Sequence, residues 1–391
     1  MAEPAVQPAL PLGVNLVGYL DATLGLGTAA RNVAGALRAA GVDVAPVALA
    51  SDHPVQDGAT TVSEDPVHPI TIVCATPEGM AGARDQAPAA FDGRYVIGLW
   101  WWEVDVLPQR WMRAFDLVDE VWAGSRFVAD ALAAISPVPV VGVPLPVPEP
   151  QADPIGRAEL GLPEDKFLFG FVYDYRSVAA RKNPVGLVEA FWGAFAPQDF
   201  DKVGLVLKTL DADGWGAEEH GEIVAAADDH PSIIFLDGNL PAGRKNALIR
   251  ELDCYVSLHR SEGFGLTIAE AMLLGTPVIA TDYGGSRDFA TSFNALLVDH
   301  RPVRIGPDNE PYPPEGVWAE PDPEHARTVI GAAFEDQEGL RARAQRARGD
   351  VLGRHAPAAA GRVMADRLAR VLTMPHDAAG RPAGLDLDGI R

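Results

Sequence analysis

From Val14 to Ala280 the chain alternates short apolar runs with helical stretches, and one segment breaks the alternation: Val143-Pro144-Leu145-Pro146-Val147-Pro148-Glu149-Pro150. Proline at every second position removes backbone donors and fixes φ, so this segment can only be an extended connector. The runs before it are Val14–Val17, Val44–Leu49, Ile70–Cys74, Tyr95–Leu99, Glu120–Ala123 and Val138–Val143. Those after it are Phe167–Tyr173, Val203–Lys208, Ile233–Leu236, Cys254–Leu258 and Val278–Ala280. Strands alternating with helices imply parallel sheets covered on both faces. The predicted fold is therefore α/β, with two Rossmann-like doubly wound domains facing a cleft. The expected division is 1–150, 151–355 and a terminal 356–391, and 391 residues suffice for two cores. The terminal part holds a helix over about Pro357 to Leu372 and a tail from Met374 that is expected to be poorly ordered.

The densest chemical pattern is Ser261-Glu262-Gly263-Phe264-Gly265-Leu266-Thr267-Ile268-Ala269-Glu270-Ala271-Met272, followed by Gly275-Thr276-Pro277-Val278-Ile279-Ala280-Thr281-Asp282-Tyr283-Gly284-Gly285. A small-residue loop carries Glu262 and opens a helix with Glu270 in its expected first turn. Gly275 suits the helix end, and Pro277 keeps the helix from resuming. Unpaired N–H groups at such a junction suit a phosphate or diphosphate. The flanking glutamates can accept hydrogen bonds from neutral hydroxyls on either side, an order that describes a nucleotide-sugar. A ligand-free reading stands beside it, because Thr267-x-x-Glu270 also matches a capping box.

Two further segments agree. The strand Phe167–Tyr173 runs into Asp174-Tyr175-Arg176-Ser177-Val178-Ala179-Ala180-Arg181-Lys182-Asn183-Pro184 and then a helix over Val185 to Phe195. Cations there would neutralise a leaving diphosphate where water is excluded; a solvated basic loop is the alternative. Near the N-terminus, the loop Gly18 to Gly27 precedes a helix predicted from an N-cap at Thr28 to Ala40, with Gly41 beyond it. Gly25-x-Gly27-x-x-Ala30 also fits a dinucleotide fingerprint. That fingerprint wants its first glycine at the strand end and an acid closing the second strand. Here Gly25 lies well past Val17, and Asp43 starts the second strand.

Glu262 and Glu270, with seven residues between them, resemble the Glu-x7-Glu motif of retaining glycosyltransferases of family 4, which have the GT-B fold. Gly263-Phe264-Gly265-Leu266, Glu270-Ala271-Met272 and the Gly-x-Pro-Val-Ile-Ala run strengthen the resemblance. The resemblance implies catalytic roles for Glu262 on the donor sugar and for Lys182 and Arg181 on the diphosphate. It implies a donor site of Gly263, Phe264, Gly265, Leu266, Thr267 and Glu270, with the last on the ribose. Arg176, His259, Gly25 and Gly27 are assigned to the donor side as well, and the terminal helix is expected to cross back onto the N-terminal domain. Gly98–Glu103 and Trp318-Ala319-Glu320-Pro321-Asp322 resemble a bacterial branch that includes mannosyl- and rhamnosyltransferases. The histidine that many relatives carry beside the sugar has no counterpart, since His53 and His68 do not match its position.

The net charge of −22 argues against nucleic acid as a partner. Up to Pro150 the chain has seven Arg, no Lys and seventeen Asp or Glu, a balance of −10, which an anionic membrane surface would repel. The expected partners are thus a nucleotide-sugar donor and a small soluble acceptor, and a cationic amino sugar or aminocyclitol would be steered favourably. Generic acidity serving solubility explains the same numbers. Asp21, Trp102 and Glu103 are placed on the acceptor side, with core packing the alternative for the tryptophan. No run approaches a membrane span, and Met1 to Leu12 lack a signal-peptide pattern, so a cytoplasmic protein is expected. Cys74 and Cys254 read as buried thiols. Alanine abundance and the excess of Arg over Lys point to a high-GC bacterial genome.

The reading that follows is retaining, metal-independent transfer of a hexose to a hydroxyl; no metal site or cofactor is expected, and Asp211-Ala212-Asp213 is taken as a loop. Rival readings are a polysaccharide or glycolipid mannosyl- or rhamnosyltransferase, an epimerase or phosphorylase of the same architecture, and a non-catalytic nucleotide-binding protein.

Overall fold

The computed structural model describes residues 12–53, 55, 65–228 and 230–374; the expected C-terminal tail beyond Met374 and most of the Pro- and Ala-rich start lie outside them. The first sheet is built from β1 (Gly13–Gly18), β2 (Asp43–Ala48), β3 (Ile70–Ala75), β4 (Tyr95–Trp100), β5 (Glu120–Ala123) and β6 (Val140–Gly142). Its order is β2-β1-β3-β4-β5-β6, all parallel. Helices α1 (Gly25–Ala39), α2 (Met80–Gln86) and α3 (Arg126–Ala133) belong to this half. Strands with both faces covered read as continuous apolar runs, and β1, β3 and β4 are buried along their whole length.

The second sheet comprises β7 (Phe167–Val172), β8 (Val203–Lys208), β9 (Ile233–Leu236), β10 (Cys254–Ser257), β11 (Val278–Thr281) and β12 (Leu296–Val298). Its parallel order is β12-β11-β10-β7-β8-β9. The order reverses between β7 and β10, and ligands of open α/β sheets bind at such switch points, beyond the carboxyl ends of the strands. Helices α4 (Arg157–Leu160), α5 (Ala179–Lys182), α6 (Pro184–Ala194), α7 (Ala217–Ala227), α8 (Ala242–Glu251) and α9 (Leu266–Leu274) are woven through this sheet. An antiparallel hairpin follows, β13 (His300–Arg304) with β14 (Val317–Pro321), then α10 (Pro323–Glu335), α11 (Gln337–His355) and α12 (Pro357–Thr373).

Two elements return to the first half. Helix α12 packs on α1 so closely that a Cβ at Gly361 would lie 2.2 Å from the Ala36 carbonyl oxygen. Arg367 on α12 also forms an ion pair with the fully buried Glu120 of β5. The hairpin's Ile305, Tyr312 and Trp318 join the core made by Trp100, Trp102, Val104, Leu107 and Trp111.

Three local expectations are corrected. Helix α1 starts at Gly25, with Leu24 at its N-cap and no side-chain cap, so Thr28 lies inside the helix. Strand β6 is shorter than expected because only Val140–Gly142 finds the register of β5. Glu270 is the fifth residue of α9, which Gly265 starts in a left-handed conformation (φ 88°); no capping box forms.

Candidate active site

The loop between β10 and α9 is the centre of the candidate site, and glycines let it fold back against its neighbours. A Cβ at Gly285 would sit 2.0 Å from the Gly263 carbonyl oxygen, and the Gly285 N–H donates to the Glu262 carbonyl at 2.7 Å. The Gly284-Gly285 turn after β11 is therefore a cradle for the backbone that carries Glu262. Gly263 abuts the first domain, where a Cβ would meet the Trp102 carbonyl at 2.7 Å.

Glu262, Lys182 and Arg181 are brought together. Lys182 Nζ donates to Glu262 Oε1, and Arg181 Nη1 lies 3.3 Å from Oε2. The Arg181 guanidinium also donates to the Ser261 carbonyl (2.8 Å) and to the Ser177 carbonyl (3.0 and 3.2 Å), tying the α5 segment to the glutamate loop. Burial alone would raise the Glu262 carboxyl, but Lys182 and Arg181 hold it at about 2. Burial works against the Lys182 ammonium, whose pKa falls, with Glu262 opposing the fall. Both cations pair with the one carboxylate, so the buried charges are partnered and the cluster keeps one net positive charge.

At the start of α9 the amides of Phe264, Gly265 and Leu266 meet no acceptor among the described residues. Phe264 itself turns inward, with ring centroids 5.0 Å from Phe289 and 5.1 Å from His355. Thr267 accepts a 2.8 Å hydrogen bond from the Tyr255 hydroxyl. Glu270, one helical turn further on, accepts from Lys245 Nζ on α8. A loop with open amides thus lies between two carboxylates, each paired with a lysine.

Other expected residues are placed elsewhere. Arg176 is bonded to Asp211 (2.8 Å), lies 4.0 Å from Asp52 and stands over the exposed Trp215 ring, 5.9 Å from its centroid. His259 is fully buried, with Nδ1 at 3.0 Å from Ser257 Oγ and Nε2 at 3.0 Å from the Tyr283 carbonyl oxygen. Both ring nitrogens are engaged within the protein, so the histidine props the loop instead of offering a group to a ligand. Burial lowers its pKa, leaving the ring neutral near pH 7. Gly27 packs within the first turn of α1, where a Cβ would meet the carbonyls of Tyr19 and Ala22 at 2.6 Å, while Gly25 is exposed at the helix start. Asp21 is half-buried in the loop before α1 and supports the charge of Arg31.

Trp102 is a core residue, 2% exposed, its Nε1 donating to the Val106 carbonyl at 2.9 Å and its ring edge-on to Trp111. Glu103 is half-buried between the two halves: its Oε2 accepts a 3.1 Å hydrogen bond from the Tyr312 hydroxyl, and its carbonyl accepts from Ser261 Oγ. Burial raises the Tyr312 phenol well above its ordinary pKa, keeping it protonated as a donor. Sequence reasoning missed Tyr312 and Lys245. Nothing in the Pro-rich turn around Tyr312 signals a contact with Glu103. Lys245 carries one available signal, as one of only five lysines in a chain with 27 arginines.

Residues 154–302, which hold the whole Glu262–Lys182–Glu270 arrangement, match the family model of glycosyl transferases group 1. A D-inositol 3-phosphate glycosyltransferase of Arthrobacter sp. (strain FB24) is 31% identical over 159 residues, covering 40% of this chain and 37% of the relative. The lipopolysaccharide core biosynthesis mannosyltransferase LpsB of Rhizobium meliloti (strain 1021) is 52% identical over 42 residues, 11% of this chain and 12% of that protein. These matches span little more than a third of the first curated relative's length and far less of the second's. Two solved structures cover 92% of the chain: Anabaena Alr3699/HepE in complex with UDP-glucose (TM-score 0.66, 16% identity, 100% of that chain) and sucrose-phosphate synthase from Thermosynechococcus elongatus (0.67, 18%, 99%). The fold is GT-B. Among the described residues no helix is long and apolar enough to cross a membrane.

Proposed function

We propose that the protein is a retaining glycosyltransferase that moves a hexose from a nucleotide-sugar to a hydroxyl of a small soluble acceptor, an amino sugar or aminocyclitol among the candidates. One observation carries the reading: the loop with open amides between Glu262, paired with Lys182, and Glu270, paired with Lys245. The match of residues 154–302 to glycosyl transferases group 1 supports it. The Arthrobacter relative is named for D-inositol 3-phosphate, a small soluble polyol though an anionic one, which supports the small-molecule part of the reading alone.

In this scheme the amides of Phe264, Gly265 and Leu266 hold the distal phosphate, and Lys182 and Arg181 counter the charge that builds on it. Glu262 accepts hydrogen bonds from sugar hydroxyls and Glu270 from the ribose. The bond from the anomeric carbon to the diphosphate oxygen breaks, and the acceptor oxygen bonds to that carbon on the same face. The acceptor proton passes to the departing phosphate oxygen, so no protein nucleophile is required. Glu103, held by Tyr312, lies on the acceptor side. Lys182, Arg181 and the amides counter the charge of the diphosphate, and the scheme invokes no metal.

The test is thermal stabilisation by UDP, GDP, ADP, dTDP and their sugar conjugates, with wild type and Glu270→Ala. Selective stabilisation by one nucleotide, weakened by the substitution, is expected; no shift with any of them overturns the reading. NMR of the first product formed from an α-linked donor then reports an α-anomer for retention.

A further inference from the structure

We propose that Lys245 is a selectivity residue: with Glu270 it reads the 2′,3′-diol of a ribose, so the protein takes ribonucleoside diphosphates and rejects their 2′-deoxy forms. This rests on the assignment of Glu270 to the nucleotide's sugar.

The argument begins with how incompletely the pair is satisfied. Lys245 sits in the first turn of α8 and reaches across to α9, where its Nζ donates to Glu270 Oε2. This is its single hydrogen bond among the described residues, and an ammonium has three donors. Glu270 Oε1 accepts none among those residues. The carboxylate side chain is 12% exposed and the lysine 25%, so the pair is not sealed in the core and its remaining capacity is within reach of a ligand. What is left is one carboxylate oxygen and two ammonium donors side by side. A vicinal diol suits that set: one hydroxyl donates to Oε1, while the other accepts from Nζ and donates to Oε2. A single hydroxyl leaves either Oε1 or Nζ desolvated without a partner. Sites built to hydrogen-bond a hydroxyl discriminate strongly against ligands that lack it.

The choice of lysine supports the same conclusion. Elsewhere the chain builds its ion pairs mainly with arginine, as in Arg157–Asp253, Arg260–Glu320 and Arg367–Glu120. A planar guanidinium binds both oxygens of a carboxylate in a fork and would close Glu270 to any ligand. A compact ammonium on one oxygen leaves the other open. Lys245 is one of five lysines against 27 arginines, so its use here departs from the chain's habit.

The experiment measures Kd on the full chain for UDP, GDP and ADP and for the 2′-deoxy form of each. Wild type, Lys245→Met, Lys245→Arg and Glu270→Gln are compared. For the ribonucleotide that wild type prefers, binding about ten- to a hundredfold tighter than that of its deoxy form is expected. Lys245→Met should weaken the ribonucleotide about tenfold and bring the ratio to within about threefold. Lys245→Arg should abolish the ratio while leaving the melting temperature of the free protein near wild type, because the ion pair survives. A lysine that only supports the fold would give the opposite pattern, with stability lost in Lys245→Met and the ratio intact in both variants; that overturns the proposal. Wild type that binds nucleotides with no ribose preference overturns it while sparing the broader function. Wild type that binds none overturns both.

Discussion

Glu262 is ionised against the effect of its own burial. Its carboxyl lies at about 2 in the folded chain, below its ordinary 4.5, so as pH falls the unfolded chain takes up this proton first. The stability it contributes is complete above about pH 4.5 and is lost as pH falls through 2. His259 and His355 act earlier. Burial lowers both below 6.5, so the unfolded chain binds their protons as pH drops through that value and the fold does not. Urea midpoints should therefore begin to fall as pH drops through about 6.5 and fall again below about 4.5. A midpoint that rises on acidification from pH 7 to 5 would contradict the buried neutral histidines. Glu262→Gln leaves Lys182 and Arg181 facing a neutral amide, and a loss of about 2–4 kcal/mol is expected from paired unfolding curves. Lys182→Ala should slow transfer about a hundredfold or more with a smaller effect on nucleoside binding, as measured by single-turnover kinetics and calorimetry.

At the scale of elements, the parts that repeat a simple period were legible and the parts defined by contact were not. Apolar runs located the sheets because β1, β3, β4, β7 and β8 are buried on both faces and need continuous hydrophobicity. The cluster of Glu262, Lys182 and Arg181 was legible because glycine, charge and helix-start residues each leave a local mark. Thr28 misled, since Leu24 starts α1 through backbone geometry alone. The hairpin was invisible: Ile305 to Gly316 has no period, and Tyr312 acquires meaning only beside Glu103. Tyr312→Phe keeps the ring against Trp102 and removes the hydroxyl. It should raise the acceptor KM several-fold with donor Kd unchanged; an equal effect on both would assign the hairpin a merely structural part. Gly285→Ala tests the cradle, because a Cβ 2.0 Å from the Gly263 carbonyl must displace backbone. A loss of about 2 kcal/mol or more is expected in thermal unfolding, with weakened nucleotide binding.

Across the whole molecule the two halves are linked on several sides. Ser125 Oγ donates to the Gly263 carbonyl and Ser261 Oγ to the Glu103 carbonyl, while the Arg126 N–H donates to Asp288 at 2.8 Å. These contacts hold the two halves against each other beside the loop that carries Glu262. Helix α12 supplies a further link through Gly361 and Arg367. Gly361→Ala should lower the melting temperature by several degrees, whereas Gly349→Ala, with nothing within 4 Å of its added Cβ, should leave it unchanged or raise it slightly.

The return of α12 also sets an order in time. During synthesis the first sheet emerges with α1 bare, because the helix that covers it spans Pro357–Thr373. The second sheet is contiguous and has its covering helices once α10 and α11 have left the ribosome, while the first must wait, its apolar helix face open, for α12 at nearly the end of the described chain. The half that is translated first is thus the half that finishes folding last.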